Sequence, residues 1–424
     1  MTKTSSRERV LCALDHRQPD RIPVDFGGTF VSGIHVSRVL ALRDYFGLGK
    51  KPVKVIDPGQ FLGEIEEDLK RAMGIDTEGI IRRMTRFGFP AEDWKPFRMY
   101  DGTEVLVPGQ FHVTIDENGD TLMHPLGDTS NPPSARMPNG GYFFDAIIRQ
   151  QPFDEDHLDP ADNLEEYGPV SDEELAHLER EARRAAGTGR AVVANFGGTS
   201  FGDIALVPGV GLPHPKGIRD ITEWYMSTRA RRDFVHAVFT GQCEIALANL
   251  ERIAARLGHL VDVVNICGTD FGTQTSSFCS VATFRELWLP YYRAVNEWVH
   301  KNTRWKTFKH SCGAVEKFVP SFVEAGFDIL NPVQCSAAGM EADILKQKYG
   351  RDLVFWGGGV DTQQVLPFGT PDDVSEQVLG RCEAFYRDGG FVFNTVHNIQ
   401  ARTPVENIIA MIRAVESFNG RHVG

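Results

Sequence analysis

The second half of the chain alternates short apolar segments with longer segments whose apolar residues recur at helical spacing. The short segments are rich in β-branched and aromatic residues, which is typical of buried strands. The pattern predicts strands at Val261–Cys267, Trp305–His310, Phe327–Gln334, Asp352–Trp356 and Phe391–Val396. It predicts helices after them at Phe284–Lys301, Val315–Ala325, Glu341–Tyr349, Asp372–Arg387 and Pro404–Phe418. Because neighbouring parallel strands need crossover helices, this order indicates a parallel sheet.

The first half of the chain supplies three further candidate strands, at Arg21–Phe26, Gly79–Arg82 and Ala191–Phe196. Together with the strands of the second half they complete the set that a closed (β/α)8 TIM barrel needs, so the expected fold class is α/β. We predict one barrel domain over residues 1–424, with an insertion at about 99–172.

The insertion has two parts with different patterns. Met99–Pro125 alternates apolar and polar residues with a period of two and contains Asp-Gly and Asn-Gly turn signals, which predicts an antiparallel hairpin or small sheet. Ser130–Asp172 is rich in Pro, Asp and Gly and is predicted to form a loop or lid. Its aromatic residues Tyr142 and Phe143 are candidate substrate contacts, although packing of the insertion explains them equally well.

Charge and cysteine content narrow the class of function. The net charge of −12 makes nucleic acid an unexpected partner, because an acidic surface repels phosphate. The seven scattered cysteines do not form the pattern of a disulfide framework. No apolar h-region begins the sequence, and no apolar run approaches the ~20 residues of a membrane span. We therefore expect a reducing, cytoplasmic location without membrane association.

The residues at the predicted carboxyl ends of the strands are unusually polar. In barrel enzymes the active site lies at these ends. The set comprises Asn195, Gly197, Asp270, Gln274, His310, Cys312, Gln334, Cys335, Asp361, His397 and Asn398. From it we take Asp270, Asp361 and His397 as candidate catalytic residues, and Asn195, Gln274 and Gln334 as candidate substrate-binding residues.

Two of these residue types favour a zinc site, because imidazole and thiolate are the ligands that zinc prefers. His310 and Cys312 lie two positions apart, which puts both side chains on one face of a continuing strand. Cys335 follows one helix and one strand later, at the interval between neighbouring barrel strands. We expect His310, Cys312 and Cys335 to bind the metal. For His397 two roles remain, that of a metal ligand and that of a substrate contact.

Several segments resemble the uroporphyrinogen-decarboxylase-like superfamily. They are Arg7–Gly28, Phe308–Ala337, Phe355–Gln363 and Gly389–Ala414. Porphyrinogen decarboxylases of this superfamily hold substrate carboxylates with arginines just after the first strand. Here Pro23–Gly33 contains no arginine, which argues against porphyrinogen decarboxylation.

The other branch of the superfamily comprises zinc methyltransferases that serve corrinoid proteins, with a His-x-Cys motif and a distant cysteine near the last strand. His310 and Cys312 match the motif, whereas His397 stands where that cysteine is expected, so Cys335 and His397 compete as third ligand. The resemblance implies Zn2+ as cofactor and methyl transfer from a small O-methyl aromatic or N-methyl donor to the corrinoid of a partner protein. The resemblance is compatible with a homodimer.

Two kinds of alternative remain at this stage. One is a metal-free decarboxylase or lyase of a small acid, which needs clustered cations near the strand ends; a related non-catalytic protein would bind a tetrapyrrole or corrinoid. The other is methyl transfer in the opposite sense, from a corrinoid to tetrahydrofolate or a thiol. Stoichiometric zinc favours the methyltransferases over the metal-free alternatives.

Overall fold

The structure, a computed structural model, describes residues 4–196 and 201–422. Its strands, in chain order, are β1 (Val55–Asp57), β2 (Leu62–Gly63), β3 (Thr77–Ile81), β4 (Lys95–Arg98), β5 (Glu104–Val107), β6 (Val113–Ile115), β7 (Thr121–Met123), β8 (Ala135–Met137), β9 (Asp145–Ala146), β10 (Ala191–Asn195), β11 (Val263–Cys267), β12 (Lys306–His310), β13 (Ile329–Asn331), β14 (Val354–Trp356) and β15 (Phe391–Val392).

The helices follow the same order. They are α1 (Ser6–Leu14), α2 (Val36–Tyr45), α3 (Glu67–Ala72), α4 (Asp172–Ala186), α5 (Ile221–Ala230), α6 (Arg232–Leu257), α7 (Val281–Leu287), α8 (Leu289–Asn302), α9 (Val319–Glu324), α10 (Ala342–Tyr349), α11 (Val365–Phe368), α12 (Pro371–Tyr386) and α13 (Val405–His422). Within the described ranges, none is long and apolar enough to cross a membrane.

A curled parallel sheet forms the centre of the fold. Its strands pair in the order β15-β14-β13-β12-β11-β10-β3, and every pairing is parallel. From β10 onward, each strand therefore lies beside the next strand of the chain, as the repeat of strand–helix units predicts. The expected TIM-barrel-like α/β class is confirmed.

The first predicted strand, Arg21–Phe26, does not form a regular strand, but its centre bridges the two edges of the sheet. Phe393 exchanges two backbone hydrogen bonds with Pro23–Asp25, at 2.8 and 2.9 Å. On the other edge, the Asp76 N–H donates to the Val24 carbonyl at 2.8 Å. The segment thus occupies the remaining position of the ring, although Pro23 has no N–H with which to extend the pairing.

The Asp25 carboxylate fastens this segment to the barrel. It accepts a hydrogen bond from the Thr77 hydroxyl at 2.6 Å and one from the Trp356 indole N–H at 2.8 Å. Complete burial raises the pKa of Asp25, while these donors oppose the rise.

One end of the barrel is filled by apolar side chains. Val193, Val263, Phe308 and Trp356 point into the barrel from their strands and meet Val10, Ala13 and Leu14 of α1. Helix α1 therefore covers the amino-terminal end of the strands. The opposite, carboxyl end is the mouth, where barrel sites lie.

Several predicted elements have different bounds in the structure, and in two of them a proline is the reason. The helix predicted at Phe284–Lys301 is divided into α7 and α8 at Trp288, because Pro290 in the first turn of α8 lacks the N–H that a continuous helix needs. The strand predicted at Phe327–Gln334 ends at Asn331, because Pro332 cannot continue the hydrogen-bonded ladder.

The region between β3 and α4 contains antiparallel pairs. Strands β4 and β5 form one pair, and β6 to β9 form a second sheet. An aromatic cluster packs this region against the loops of the mouth, with ring centroids of neighbouring pairs 5.2–6.3 Å apart. Its members include Phe61, Phe97, Phe111 and Phe144.

Candidate metal centre

Strand β12 delivers two ligand-type side chains to the mouth. Phe308 points into the barrel core, so the alternation of a strand turns Lys309 toward the helices and His310 inward. Cys312 follows two residues later, and its Sγ lies 3.4 Å from His310 Nε2. The expected convergence of His310 and Cys312 is present.

His397, from the loop after β15, is the third member of the group. One ligand atom each of His310, Cys312 and His397 lie within 4.8 Å of one another. The two imidazole rings meet edge to face, with centroids 5.4 Å apart. Among the described residues, no second group of this kind was found.

Asn331 fixes the orientation of His310. The register of β12 and β13 pairs His310 with Asn331, and the Asn331 Oδ1 lies 2.6 Å from His310 Nδ1. If Nδ1–H donates to this carbonyl-type oxygen, Nε2 keeps its lone pair toward Cys312. Asn331 is itself held, because its Nδ2 donates to the Trp356 carbonyl at 2.8 Å.

Asp270 orients the turn that carries Cys312. Its Oδ1 accepts a hydrogen bond from the Cys312 backbone N–H at 2.7 Å and lies 3.8 Å from His310 Nε2. This carboxylate therefore contributes negative charge directly beside the His–Cys pair.

Burial shifts the pKa of every member of the group toward its neutral form. It lowers the pKa of His310, and it lowers the pKa of His397 to about 4. It raises the pKa of the Cys312 thiol well above its usual value, with Asp270 adding to the rise. These directions favour two neutral imidazoles and a thiol beside the Asp270 carboxylate.

This donor set fits zinc. Tetrahedral zinc, about 2.0–2.3 Å from its ligands, separates neighbouring ligand atoms by about 3.3–3.8 Å. The 3.4 Å between Cys312 and His310 already lies in that range. A second partner on the other nitrogen of a ligating histidine, as Asn331 provides for His310, is usual at such sites. A zinc ion bound by these three residues would have the number of protein ligands that is usual in catalytic zinc sites.

The structure differs from the sequence prediction at Cys335, which is not a member of this group. Because β13 already ends at Asn331, the chain turns before it reaches Cys335, and the thiol packs against the apolar core. Burial raises its pKa to about 11, and the charges acting on it are those of Arg381, Glu341 and Asp361. His397, and not Cys335, lies beside His310 and Cys312.

A chain of carboxamides borders the metal group. Gln334 Oε1 accepts from the Gly313 backbone N–H at 2.8 Å, and Gln334 Nε2 donates to Gln274 at 3.0 Å. Gln274 in turn donates to Gln363 at 2.9 Å. The predicted substrate residues Gln274 and Gln334 therefore lie together at the mouth, and Gln334 holds the turn next to Cys312.

The remaining predicted site residues have different surroundings. Asp361 accepts hydrogen bonds from the backbone N–H groups of Gln363 and Gln364 at 2.9 and 2.6 Å, so it stabilises the turn after β14. Asn195 ends β10, opposite Ile81 of β3. Gly197 lies outside the described residues.

Tyr142 connects the inserted region to the last loop of the barrel. Its ring packs edge to face on His35 at 5.6 Å, and its hydroxyl accepts from Arg402 at 2.7 Å. Phe143 is 46% exposed. Tyr142 therefore contacts the last loop of the barrel, whereas Phe143 is largely exposed to solvent.

Sequence reasoning did not identify Asn331, whose role follows from its register partner rather than from a motif. Lys309 is a cation at the end of β12, but its side chain is directed away from the mouth. Its Nζ donates to the Thr269 carbonyl at 2.6 Å and lies 5.1–5.8 Å from the ring centroids of Phe271, Tyr292 and Phe322.

The fold and site together define a class: a TIM-barrel-like α/β protein with a His/Cys/His candidate metal centre at the mouth. Residues 216–418 match the family model of uroporphyrinogen decarboxylase (URO-D). This part of the chain contains all three candidate ligands. The matched segment is just under half of the chain, and it resembles this family.

The curated relatives include both branches of the superfamily. The chain is 25% identical over 201 residues to the methylated-thiol–coenzyme M methyltransferase of Methanosarcina mazei, covering 47% of this chain and 48% of the relative. It is 30% identical over 89 residues to the uroporphyrinogen decarboxylase of Coxiella burnetii, covering 20% and 24% respectively. The chain thus aligns with about half the length of the first relative and less of the second.

A solved methyltransferase from Methanosarcina mazei shares the fold, with a TM-score of 0.54 and 13% identity over 98% of this chain and 99% of that one. At this identity the likeness shows the shared fold.

Proposed function

We propose that the protein is a zinc-dependent methyltransferase that moves a methyl group from a small O-methyl aromatic or N-methyl compound to the corrinoid of a partner protein. The observation that carries the proposal is the group of His310, Cys312 and His397 at the barrel mouth. The relationship to a methyltransferase supports the same reaction class.

In this proposal the chain's own residues hold and orient the centre. His310, Cys312 and His397 would bind the zinc ion, and Asn331 keeps Nε2 of His310 free for it. Asp270 holds the Cys312 turn. When bound, zinc supplies a Lewis acid that polarises the heteroatom carrying the methyl group and makes it a better leaving group.

The surrounding residues would position the substrate. Gln274 and Gln334 present carboxamide groups beside the Cys312 turn, where they offer neutral donors and acceptors to a substrate heteroatom. Cobalt chemistry belongs to the partner's cofactor, so this chain's task is to bind the donor, exclude water and control charge.

The test is methyl transfer from methoxylated aromatics and methylamines to a Co(I) corrinoid, followed by the absorbance change on methylation. We expect turnover by the wild type with at least one donor. Turnover should fall to background in Cys312→Ala, because that variant lacks a ligand. Cys12→Ala is the matched control, since it removes a thiol on α1, at the other end of the barrel.

Two outcomes would reject the proposal. Full activity of Cys312→Ala would show that the reaction does not need the metal centre. Release of CO2 from small acids, without methylation of the corrinoid, would establish the lyase alternative instead.

A further inference from the structure

Lys309 is a fully buried lysine that directly precedes the candidate ligand His310. Its side chain leaves β12 on the face opposite to His310 and enters the layer between the sheet and the helices. The hydrogen bonds of its Nζ that are found among the described residues go to backbone carbonyls and a sulfur, and none goes to a carboxylate. Burying an ammonium without a counter-charge is costly, so the charge at this place calls for an explanation.

Three aromatic rings surround the Lys309 ammonium. Its Nζ lies 5.1 Å from the ring centroid of Phe271, 5.7 Å from that of Tyr292 and 5.8 Å from that of Phe322. Aromatic faces attract cations, so these rings offset part of the lost hydration. All three are buried, and they enclose the ammonium on the helix side of the sheet. The surroundings are therefore suited to a cation and not only to an apolar chain.

The ammonium joins the ends of two neighbouring strands. Nζ donates to the Thr269 carbonyl at 2.6 Å, in the loop after β11, and to the His310 carbonyl at 2.5 Å, at the end of β12. Strand β11 ends at Cys267, so the strand pairing does not tie the two segments beyond that point. The side chain of Lys309 supplies a link there, because it holds the residue before Asp270 against a candidate ligand.

Two further hydrogen bonds continue this link toward the metal group. The Phe271 backbone N–H donates to Ser311 Oγ at 3.0 Å, and Asp270 Oδ1 accepts from the Cys312 backbone N–H at 2.7 Å. Together with the ammonium of Lys309, they fasten the loop after β11 to the end of β12 at three successive points. The place of Cys312 therefore depends on a support to which the buried lysine belongs.

We propose that Lys309 is a positioning residue of the metal centre. From behind the site, its ammonium holds the Asp270 loop against the strand end that presents His310 and Cys312. The inference rests on the proposed function and adds a residue that touches neither metal nor substrate. Ligands that are held in place before the metal arrives lose less freedom on binding it, so the ammonium should raise zinc affinity.

The test compares the zinc affinity of the wild type with that of Lys309→Met, which keeps an unbranched apolar side chain but lacks the ammonium. Competition with a chromogenic chelator measures both affinities. Loss of a group that supports a metal ligand typically weakens metal binding by about 10- to 100-fold, and we expect a loss of about tenfold or more. Lys306→Met is the matched control and should keep wild-type affinity, because Lys306 begins the same strand at the other end of the barrel.

Cobalt(II) in place of zinc gives a second readout that a purely structural role would not change. Its d–d absorption bands depend on the angles between the ligands, so they should shift in Lys309→Met and stay unchanged in Lys306→Met. A purely structural role of the lysine predicts a lower melting temperature of Lys309→Met together with wild-type zinc affinity and a wild-type cobalt spectrum. That result would overturn the inference.

If Lys309→Met does not fold, Lys309→Gln takes its place. The glutamine amide still offers N–H donors, but it is shorter and uncharged, so it cannot hold both carbonyls as the ammonium does. We expect a folded protein with weaker zinc binding than the wild type. Wild-type zinc affinity in this variant contradicts the positioning role.

These measurements separate the two proposals because they need neither corrinoid nor turnover. If Lys309→Met loses zinc affinity while the wild type transfers no methyl group, the positioning role stands and the proposed reaction fails. If the wild type transfers methyl groups and Lys309→Met binds zinc as tightly as the wild type, the reaction stands and the positioning role fails.

Discussion

Asn331 is the residue on which the orientation of His310 depends. It contacts no substrate position directly, but its Oδ1 lies 2.6 Å from His310 Nδ1 and its Nδ2 is held by the Trp356 carbonyl. Replacing the amide removes the group that selects the Nε2 lone pair for a metal. The effect should therefore concern metal affinity more than the fold of the barrel.

Asn331→Ala should weaken zinc binding by about 10- to 100-fold, the usual cost of losing the partner of a ligating histidine. Asn407→Ala is the matched control, because Asn407 is equally buried but donates to the Leu366 and Gly369 carbonyls on the helix side. Competition with a chromogenic chelator measures both affinities. Equal zinc affinity of wild type and Asn331→Ala would show that another group orients His310.

At the residue scale, the sequence predicts which side chains share one face of a strand. It does not predict which residue of the neighbouring strand lies opposite, because that depends on the register of the pairing. His310 and Cys312 were predicted from their residue types, their place at the end of a strand and their spacing. Asn331 was not, because only the pairing of β12 with β13 sets it opposite His310. The choice between Cys335 and His397 depended on where β13 ends, and the strand is shorter than its apolar pattern indicates.

At the scale of elements, His35 joins three parts of the molecule. Its Nδ1 accepts from the Ser37 backbone N–H at 3.2 Å and caps α2, while its Nε2 lies 3.2 Å from the Tyr142 carbonyl of the inserted region. The loop of His35 also pairs with the loop after β15, through the backbone bond to Ile399. This arrangement uses the neutral imidazole, with Nε2–H as donor.

Acid should therefore destabilise the protein through His35. Burial lowers its pKa from 6.5 to about 4, so the unfolded chain takes up the proton first as the pH falls. The free energy of unfolding should be highest above pH 6.5 and should decrease toward pH 4, by at most about 3 kcal/mol from this group.

The variant His35→Asn keeps a capping side chain but removes the titrating group, so its decrease between pH 6.5 and 4 should be smaller than that of the wild type. Urea unfolding with a chelator present measures both proteins without a contribution from metal release. Asp203, whose pKa burial raises to about 6, titrates in both proteins and cancels in the comparison. Parallel pH profiles would exclude His35 as the cause.

Elements with strong periodicity were predicted well, whereas those decided by single prolines or by long-range pairing were not. The helix predicted at Phe284–Lys301 is interrupted before Pro290, and the strand predicted at Arg21–Phe26 is reduced to a bridge. The latter segment finds its place only because Phe393 and Asp76 pair with it from opposite edges of the ring. Sequence patterns carry little information on how the two edges of a barrel sheet are joined.

At the scale of the whole molecule, the two halves of the chain have different tasks. The second half carries the candidate ligands and matches the family model, whereas the first half supplies Tyr142, which contacts Arg402 of the last loop. Reaction class is therefore expected to follow the second half, and substrate choice the first. This division explains why the family resemblance suggests a chemistry but does not name a substrate.

The most direct test of this account is the zinc content of the purified protein and of its Cys312→Ala and Cys335→Ala variants, measured by plasma emission spectrometry after dialysis. The account predicts about one zinc per chain in the wild type and in Cys335→Ala, and a large loss in Cys312→Ala. Zinc retained in Cys312→Ala, or lost in a folded Cys335→Ala variant, would contradict the His310/Cys312/His397 centre.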